Sequence, residues 1–108
     1  MDIIKTISLF GEEYTPVNHI NISANQEFST RTDVRVMLDD TDNITLTLKH
    51  DDNEDGVKVE IFAFRASTIR YYTDETTTVD FAMAANTSVC FVYHNGWKHN
   101  GTYDAVWN

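Results

Sequence analysis

Apolar and polar residues alternate with a period of two along much of this chain. Apolar side chains occupy every second position in Val34–Leu38, and the alternation returns in Ile44–Leu48 and Val57–Ile61. Because successive side chains of a β-strand point to opposite faces, this pattern predicts strands with one buried and one solvated face. No segment sustains the i, i+3, i+4, i+7 spacing of an amphipathic helix. We therefore expect an all-β protein.

Polar segments separate the alternating runs. Asp39–Asn43 lies between the first two runs and Asp51–Gly56 between the next two, so each predicts the turn of a hairpin. Two further alternating runs follow, at Val79–Met83 and Val89–Tyr93. The chain therefore reads as a series of short strands joined by tight polar turns.

The last segment contains two Asn-Gly dipeptides, Asn95-Gly96 and Asn100-Gly101. Asn-Gly favours the type I′ turn of a two-residue hairpin. The dipeptides are too close together for a full strand between them, so one is expected to close the last hairpin and the other to shape a loop tip. Residues 11–33 have the weakest pattern, which predicts a long crossover loop.

Short strands punctuated by frequent turns are typical of sandwiches and small barrels. We expect a single β-sandwich, jelly-roll or immunoglobulin-like, of about seven to nine short antiparallel strands, with a small barrel as the alternative. The 108 residues match the usual size of one domain, so residues 1–108 are expected to form a single all-β domain.

The charge balance narrows the classes of partner. The chain has seventeen acidic and eight basic residues, which gives a net charge of −9. A protein that binds the phosphate backbone needs the opposite sign, so we expect no direct nucleic-acid binding and no attraction to anionic membranes. The acidic surface suits solubility, a basic partner or a cation.

The N-terminal residues predict where the chain is made. They lack the basic flank and continuous apolar stretch of a signal peptide, and no apolar run reaches the ~18 residues of a membrane span. We expect synthesis in a cytoplasm without a signal peptide, with incorporation into a virus particle as one outcome.

Asp51–Gly56 also resembles the opening of a calcium loop. Asp51, Asn53 and Asp55 place oxygen ligands at alternate positions before a glycine, which is the D-x-[DN]-x-[DN]-G pattern. The pattern then fails, because Phe62 stands where the bidentate glutamate belongs. The expectations are therefore an ordinary solvated turn or a Ca²⁺ site; no other cofactor is expected.

Aromatic residues cluster near the C-terminus and predict a binding surface there. The candidate residues are Tyr93, Trp97, His99, Tyr103 and Trp107. Trp and Tyr are enriched at protein interfaces, and flat rings beside amides also suit carbohydrate stacking. In an alternative interpretation, Tyr93 and Tyr103 form a cross-strand core pair and only Trp97 is exposed.

No catalytic constellation is visible in the sequence, since there is no Gly-x-Ser-x-Gly elbow, phosphate loop or dinucleotide fingerprint. We therefore expect a protein that is not an enzyme. The leading hypothesis is a structural or assembly module, a small virion-type accessory subunit that decorates a capsid or associates with a phage tail. Its partners would be another protein or its own copies in an oligomer.

Two alternative functions follow from other features. The net negative charge is consistent with an acidic inhibitor that occupies a basic nucleic-acid-binding groove of another protein, with the Asp39–Asp42 and Asp51–Asp55 turns presenting spaced negative charge as phosphates do. The Trp97 loop is consistent with a carbohydrate-binding module, although a glycan ligand is expected less than a protein partner.

Overall fold

A computed structural model describes residues 7–9, 12–14, 18–39 and 43–104, with side chains for residues 18–39 and 43–99. The described chain is all-β, as predicted, and no helix in it could cross a membrane. The strands are β1 (Ile7–Leu9), β2 (Glu12–Tyr14), β3 (Asn18–Ile22), β4 (Gln26–Phe28), β5 (Val34–Leu38), β6 (Thr45–Leu48), β7 (Lys58–Ala63), β8 (Ser67–Tyr72), β9 (Thr78–Met83), β10 (Thr87–Tyr93) and β11 (Trp97–Asp104).

Nine of these strands form two sheets that enclose one core. The five-stranded sheet has the order β11-β10-β7-β5-β3, and the four-stranded sheet has the order β4-β6-β8-β9. β1 and β2 pair separately as an antiparallel ribbon. Each of the two larger sheets ends in edge strands, so the described strands do not form the barrel given as the alternative.

The chain alternates between the two sheets from β3 to β8. Each circuit consists of one strand in the five-stranded sheet followed by one in the four-stranded sheet, and the three circuits are β3–β4, β5–β6 and β7–β8. Because every circuit runs in the same direction, equivalent strands stack in parallel. β9 then returns antiparallel to β8, and β10 and β11 add antiparallel strands beyond β7.

This connectivity corrects three sequence predictions. The strands are not all antiparallel, since both sheets are mixed. Asp39–Asn43 and Asp51–Gly56 do not close hairpins, because each links a strand of one sheet to a strand of the other. Residues 11–33 do not form one long loop, because they contain β2, β3 and β4. A polar connection has the same composition whether the chain turns back or crosses to the facing sheet.

The last hairpin is confirmed, and Asn95-Gly96 closes it. Both residues have positive φ, 52° and 124°, and Tyr93 pairs with Trp97 across the turn. Asn100-Gly101 lies inside β11 and does not form a loop tip, so that expectation is wrong. The register shifts there, with Asn100 and Gly101 standing opposite Cys90 alone, which is the arrangement of a β-bulge.

The core follows the predicted alternation on most strands. The alternating residues of β5, β6, β7 and β10 face inwards, with Val36, Leu46, Ile61 and Phe91 all at 0% exposure. Trp97 joins them from β11. Burial of this apolar surface is the main driving force that holds the two sheets together.

Candidate functional site

The two segments predicted as sites lie at the same end of the protein. Four connections meet there, at residues 29–33, 49–57, 73–77 and 94–96, and we call this surface the loop end. Hydrogen bonds between these connections hold the loop end together. The backbone N–H of Gly56 donates to the Tyr93 carbonyl at 2.7 Å, so the acidic turn is fixed against the last hairpin.

Asn53 fixes the centre of the loop end. Its Oδ1 accepts a hydrogen bond from the backbone N–H of Thr30 at 2.9 Å, and its Nδ2 donates to the Lys49 carbonyl at 2.8 Å. The backbone N–H of Glu54 donates to the Thr30 carbonyl at 3.1 Å. Asn53 is half-buried and satisfies two backbone groups at once, which is a structural role.

Asp51 and Asp55, the other predicted calcium ligands, are exposed. Oδ1 of Asp55 lies 3.0 Å from Nδ1 of His94, and Oδ1 of Asp51 lies 3.9 Å from Nδ1 of His50. Asn53 and Asp55 thus already have protein partners. Among residues 18–39 and 43–99, no three His, Cys, Asp or Glu side chains are grouped closely enough to hold a metal ion.

Trp97 is a core residue, so the expectation that it is exposed is wrong. Its side chain is 1% exposed, and its Nε1 donates to the Lys49 carbonyl at 2.7 Å. Tyr93 packs against the indole with ring centroids 5.1 Å apart. The burial of Trp97 leaves no ring face for a sugar to stack on. The carbohydrate hypothesis therefore loses the residue on which it was based.

Tyr93 pairs with Trp97 rather than with Tyr103, which corrects the alternative interpretation as well. The Tyr93 hydroxyl donates to the His50 carbonyl at 2.8 Å. Burial raises the pKa of Tyr93, and the nearby carboxylates of Asp51 and Asp55 raise it further, so the hydroxyl stays a neutral donor. Tyr103 on β11 stands opposite Ser88 on β10. Trp107 lies outside the described residues.

His99 lies between the two sheets on an aromatic cluster. Its ring centroid is 4.3 Å from that of Phe81, 4.9 Å from Phe91 and 5.4 Å from Tyr71. Burial among these rings lowers the pKa of His99, because the charged imidazolium loses hydration there. His99 is thus a packing residue between the two sheets and not a ligand-binding residue on a loop.

The loop end is strongly acidic. Its four connections carry two cationic side chains, Arg31 and Lys49, and seven carboxylates: Asp33, Asp51, Asp52, Glu54, Asp55, Asp74 and Glu75. A polar depression of about 220 Å³ lies beside them, lined by Glu27, Lys49, His50, Asp51, Tyr72 and Glu75. The backbone N–H groups of Thr76 and Thr77 donate to Asp74 and hold the pKa of its carboxyl below the usual range.

The structure also shows a surface that the sequence pattern missed. Val79 on β9 is 40% exposed and Phe64, in the turn after β7, is 38% exposed; these are the large hydrophobic residues exposed in the described chain. Phe64 borders a shallow groove of about 470 Å³ with Arg65 and Asn86. The alternation of β9 correctly predicts that Val79 points inwards, but its position on an edge strand leaves it uncovered.

The four-stranded sheet ends at that edge. β9 pairs with β8 over all six of its residues, and no other described strand pairs with β9. Val79 and Phe81 point towards the five-stranded sheet, and Phe81 is only half-buried. The candidate functional surfaces are therefore the acidic loop end and the β9 edge.

Comparison with protein-family models, with curated proteins and with solved structures finds no match to this chain. A proposal for the function therefore depends on the geometry of the acidic loop end and of the β9 edge.

Proposed function

We propose that this chain is a non-catalytic assembly module that acts through contacts with other protein subunits. In this role the chain would be a small virion-type accessory subunit that decorates a capsid or associates with a tail. One observation carries the proposal: the four-stranded sheet ends in a regular strand, β9, whose outer edge pairs with no other described strand, and on its inner face Val79 is 40% exposed and Phe81 only half-buried. Such an edge is a template for pairing with another chain.

The proposal predicts the native size of the protein. Tagged chain, expressed in its natural host, should sediment with a large particle when a gently made lysate is fractionated. Val79→Asp should shift the chain to the free fractions, because a carboxylate at the uncovered edge opposes burial there. Thr45→Asp is the matched control, since Thr45 lies on the outer face of the same sheet two strands away from β9.

The control variant should sediment like the wild-type chain. If the wild-type chain itself migrates as a free species, the assembly role is contradicted. If both variants leave the particle equally, the contact depends on charge in general and the β9 edge does not carry it.

A second candidate function is supported by the loop end. An acidic inhibitor would present spaced carboxylates to the basic nucleic-acid-binding groove of another protein. The seven carboxylates of the loop end lie on connections that hydrogen bonds hold in place, as Asn53 shows, so the negative surface is presented without a large ordering cost. The negative charge of the loop end supports this function, and the partner would be a basic protein.

Displacement of labelled duplex DNA from basic DNA-binding proteins of the host tests the second function. The chain should compete at low salt and lose potency at moderate salt, because exposed charges are screened. Asp51→Asn with Asp52→Asn should compete less well. Asp40→Asn with Asp42→Asn removes the same charge from the connection between β5 and β6 and should compete like the wild-type chain. Equal potency of all three proteins would exclude the loop end as the contact.

A further inference from the structure

The β9 edge differs from the other three edges of the two sheets. β4 has three residues, β11 carries the bulge at Asn100-Gly101, and β3 presents exposed polar side chains. β9 has six residues in unbroken register with β8. Its sequence contains no proline, glycine or lysine. Natural proteins guard their edge strands with proline, with charged side chains, with bulges or with short strands, and of these protections β9 has one charged residue, Asp80.

The charge on β9 is neutralised within the chain. Asp80 is the one charged residue of the strand, and it accepts two hydrogen bonds from Arg70 on β8, at 2.8 and 3.1 Å. This two-pronged ion pair draws the carboxylate towards β8 on the outer face of the sheet. The pair holds the pKa of Asp80 below its usual range and that of Arg70 above it. The edge therefore presents no unpaired charge to an approaching strand.

The uncovered apolar side chains specify what the approaching strand must bring. Val79 and Phe81 lie on the inner face of β9, where a strand added alongside would cover them with its own inner-face residues. An apolar inner face and a neutral outer face are the features of β9 itself. The edge is therefore complementary to a second copy of the same strand.

We propose that two copies of this chain pair through β9, antiparallel and about a two-fold axis, to form one continuous eight-stranded sheet. The inference rests on the proposed assembly role and names the partner as a second copy. Several registers keep inner residues opposite inner residues, and the one centred on Asp80 would set two carboxylates face to face. The register centred on Phe81 avoids this and places Phe81 opposite Phe81 of the second copy. Asp80 then stands opposite Ala82, so no two like charges face each other directly.

The acidic loop end also favours the antiparallel orientation. β9 begins directly after residues 73–77, which carry Asp74 and Glu75. A parallel pair would place two acidic loop ends side by side, whereas an antiparallel pair places them at opposite ends of the dimer. Because the net charge is −9, the two copies still repel at long range, and salt should strengthen their association by screening.

Sedimentation of the purified full chain tests the pairing. The wild-type mass should rise from monomer to dimer with concentration, and more readily at higher salt. Val79→Lys should weaken self-association by at least about tenfold, because an inward-pointing charge blocks an edge. Thr68→Lys adds the same charge to the outer face of β8 and should self-associate like the wild-type chain.

Disulfide trapping tests the register. In a Cys90→Ser background, Phe81→Cys should form a disulfide-linked dimer, because cross-strand partners place their Cβ atoms about 5 Å apart. Val79→Cys should not, since residue 79 stands opposite Met83 of the second copy. Urea unfolding of each variant verifies that it is folded; the Val79→Lys and Thr68→Lys comparison stands on its own if Phe81→Cys does not fold.

A wild-type chain that stays monomeric at all accessible concentrations and salt levels overturns the pairing. Dimers that ignore Val79→Lys, or that trap at residue 79, overturn the β9 edge or the register. A monomer that still sediments with a large particle contradicts the pairing alone and leaves the assembly role standing. A dimer that is free in the host lysate contradicts the assembly role alone.

Discussion

Asn53→Ala is expected to destabilise the protein because Asn53 links two segments of the loop end. The substitution removes the hydrogen bond from Thr30 N–H to Oδ1 and the bond from Nδ2 to the Lys49 carbonyl. Each such bond contributes about 1 kcal/mol to stability, so the free energy of unfolding should fall by about 2 kcal/mol. For a domain of this size, that corresponds to a melting temperature lower by roughly 10 °C.

Asn53→Asp separates the structural role from the calcium role. The carboxylate keeps the acceptor for Thr30 but loses the donor to Lys49 and places negative charge beside a carbonyl oxygen. We expect a loss of about 1–2 kcal/mol. A calcium loop predicts the opposite, since a third carboxylate at Asp51, residue 53 and Asp55 would strengthen the site and stabilise the fold when Ca²⁺ is added.

Equilibrium urea unfolding measures these changes, with and without added Ca²⁺. The slope of the free energy against urea should match among the proteins, so that the shifts in midpoint report stability. Asn21→Ala is the control, because Asn21 is exposed on the edge strand β3, and it should change stability by less than about 0.5 kcal/mol. If Asn53→Ala matches Asn21→Ala, or if Asn53→Asp is stabilised by Ca²⁺, the structural account of Asn53 is refuted.

Three further predictions concern the hairpin and the core. Gly96→Ala should lower the free energy of unfolding in urea by more than about 2 kcal/mol, because φ is 124° and an added Cβ would collide with the backbone of the 73–77 connection. Gly56→Ala should lower it by less, because the added Cβ meets open space at φ 90°. Between pH 7 and 5, the wild-type chain should lose stability relative to His99→Gln, because the lowered pKa of His99 lets the unfolded state bind the proton first; parallel curves would contradict this. In a Trp107→Phe background, Trp97 emission should be blue-shifted and insensitive to acrylamide and to a glycan panel; quenching would contradict the burial.

The period-two pattern predicts burial well but does not predict which strands are neighbours. The inward residues of β5 and β6 are buried as expected. Nothing in Asp39–Asn43 distinguishes a turn within a sheet from a crossing between sheets, because both need a short polar connection. The mixed sheets follow from that crossing, so the sequence pattern could not predict them.

Edge positions and long-range partners were equally hidden in the sequence. Val79 has the alternation of a core residue, and its exposure depends on β9 having one strand neighbour in the described chain. Trp97 follows an Asn-Gly turn, which suggests a loop tip, but its indole N–H finds the carbonyl of Lys49 far away in sequence. The convergence of the acidic turn and the aromatic hairpin depends on such pairings, so the sequence suggested both segments but not their contact.

The alternation of β3 to β8 between the sheets has a consequence for the folding kinetics. Within these circuits no strand pairs with the strand next to it in sequence. Val34 on β5, for example, pairs with Asn18 on β3 and with Val59 on β7. Each ladder must therefore close a large loop before it gains any hydrogen bonds, which slows folding relative to a protein of local hairpins. During synthesis, β7 can pair with β5 on one edge, but its other edge has no strand partner until β10 has emerged, so a nascent chain that stalls before β10 exposes an edge prone to aggregation.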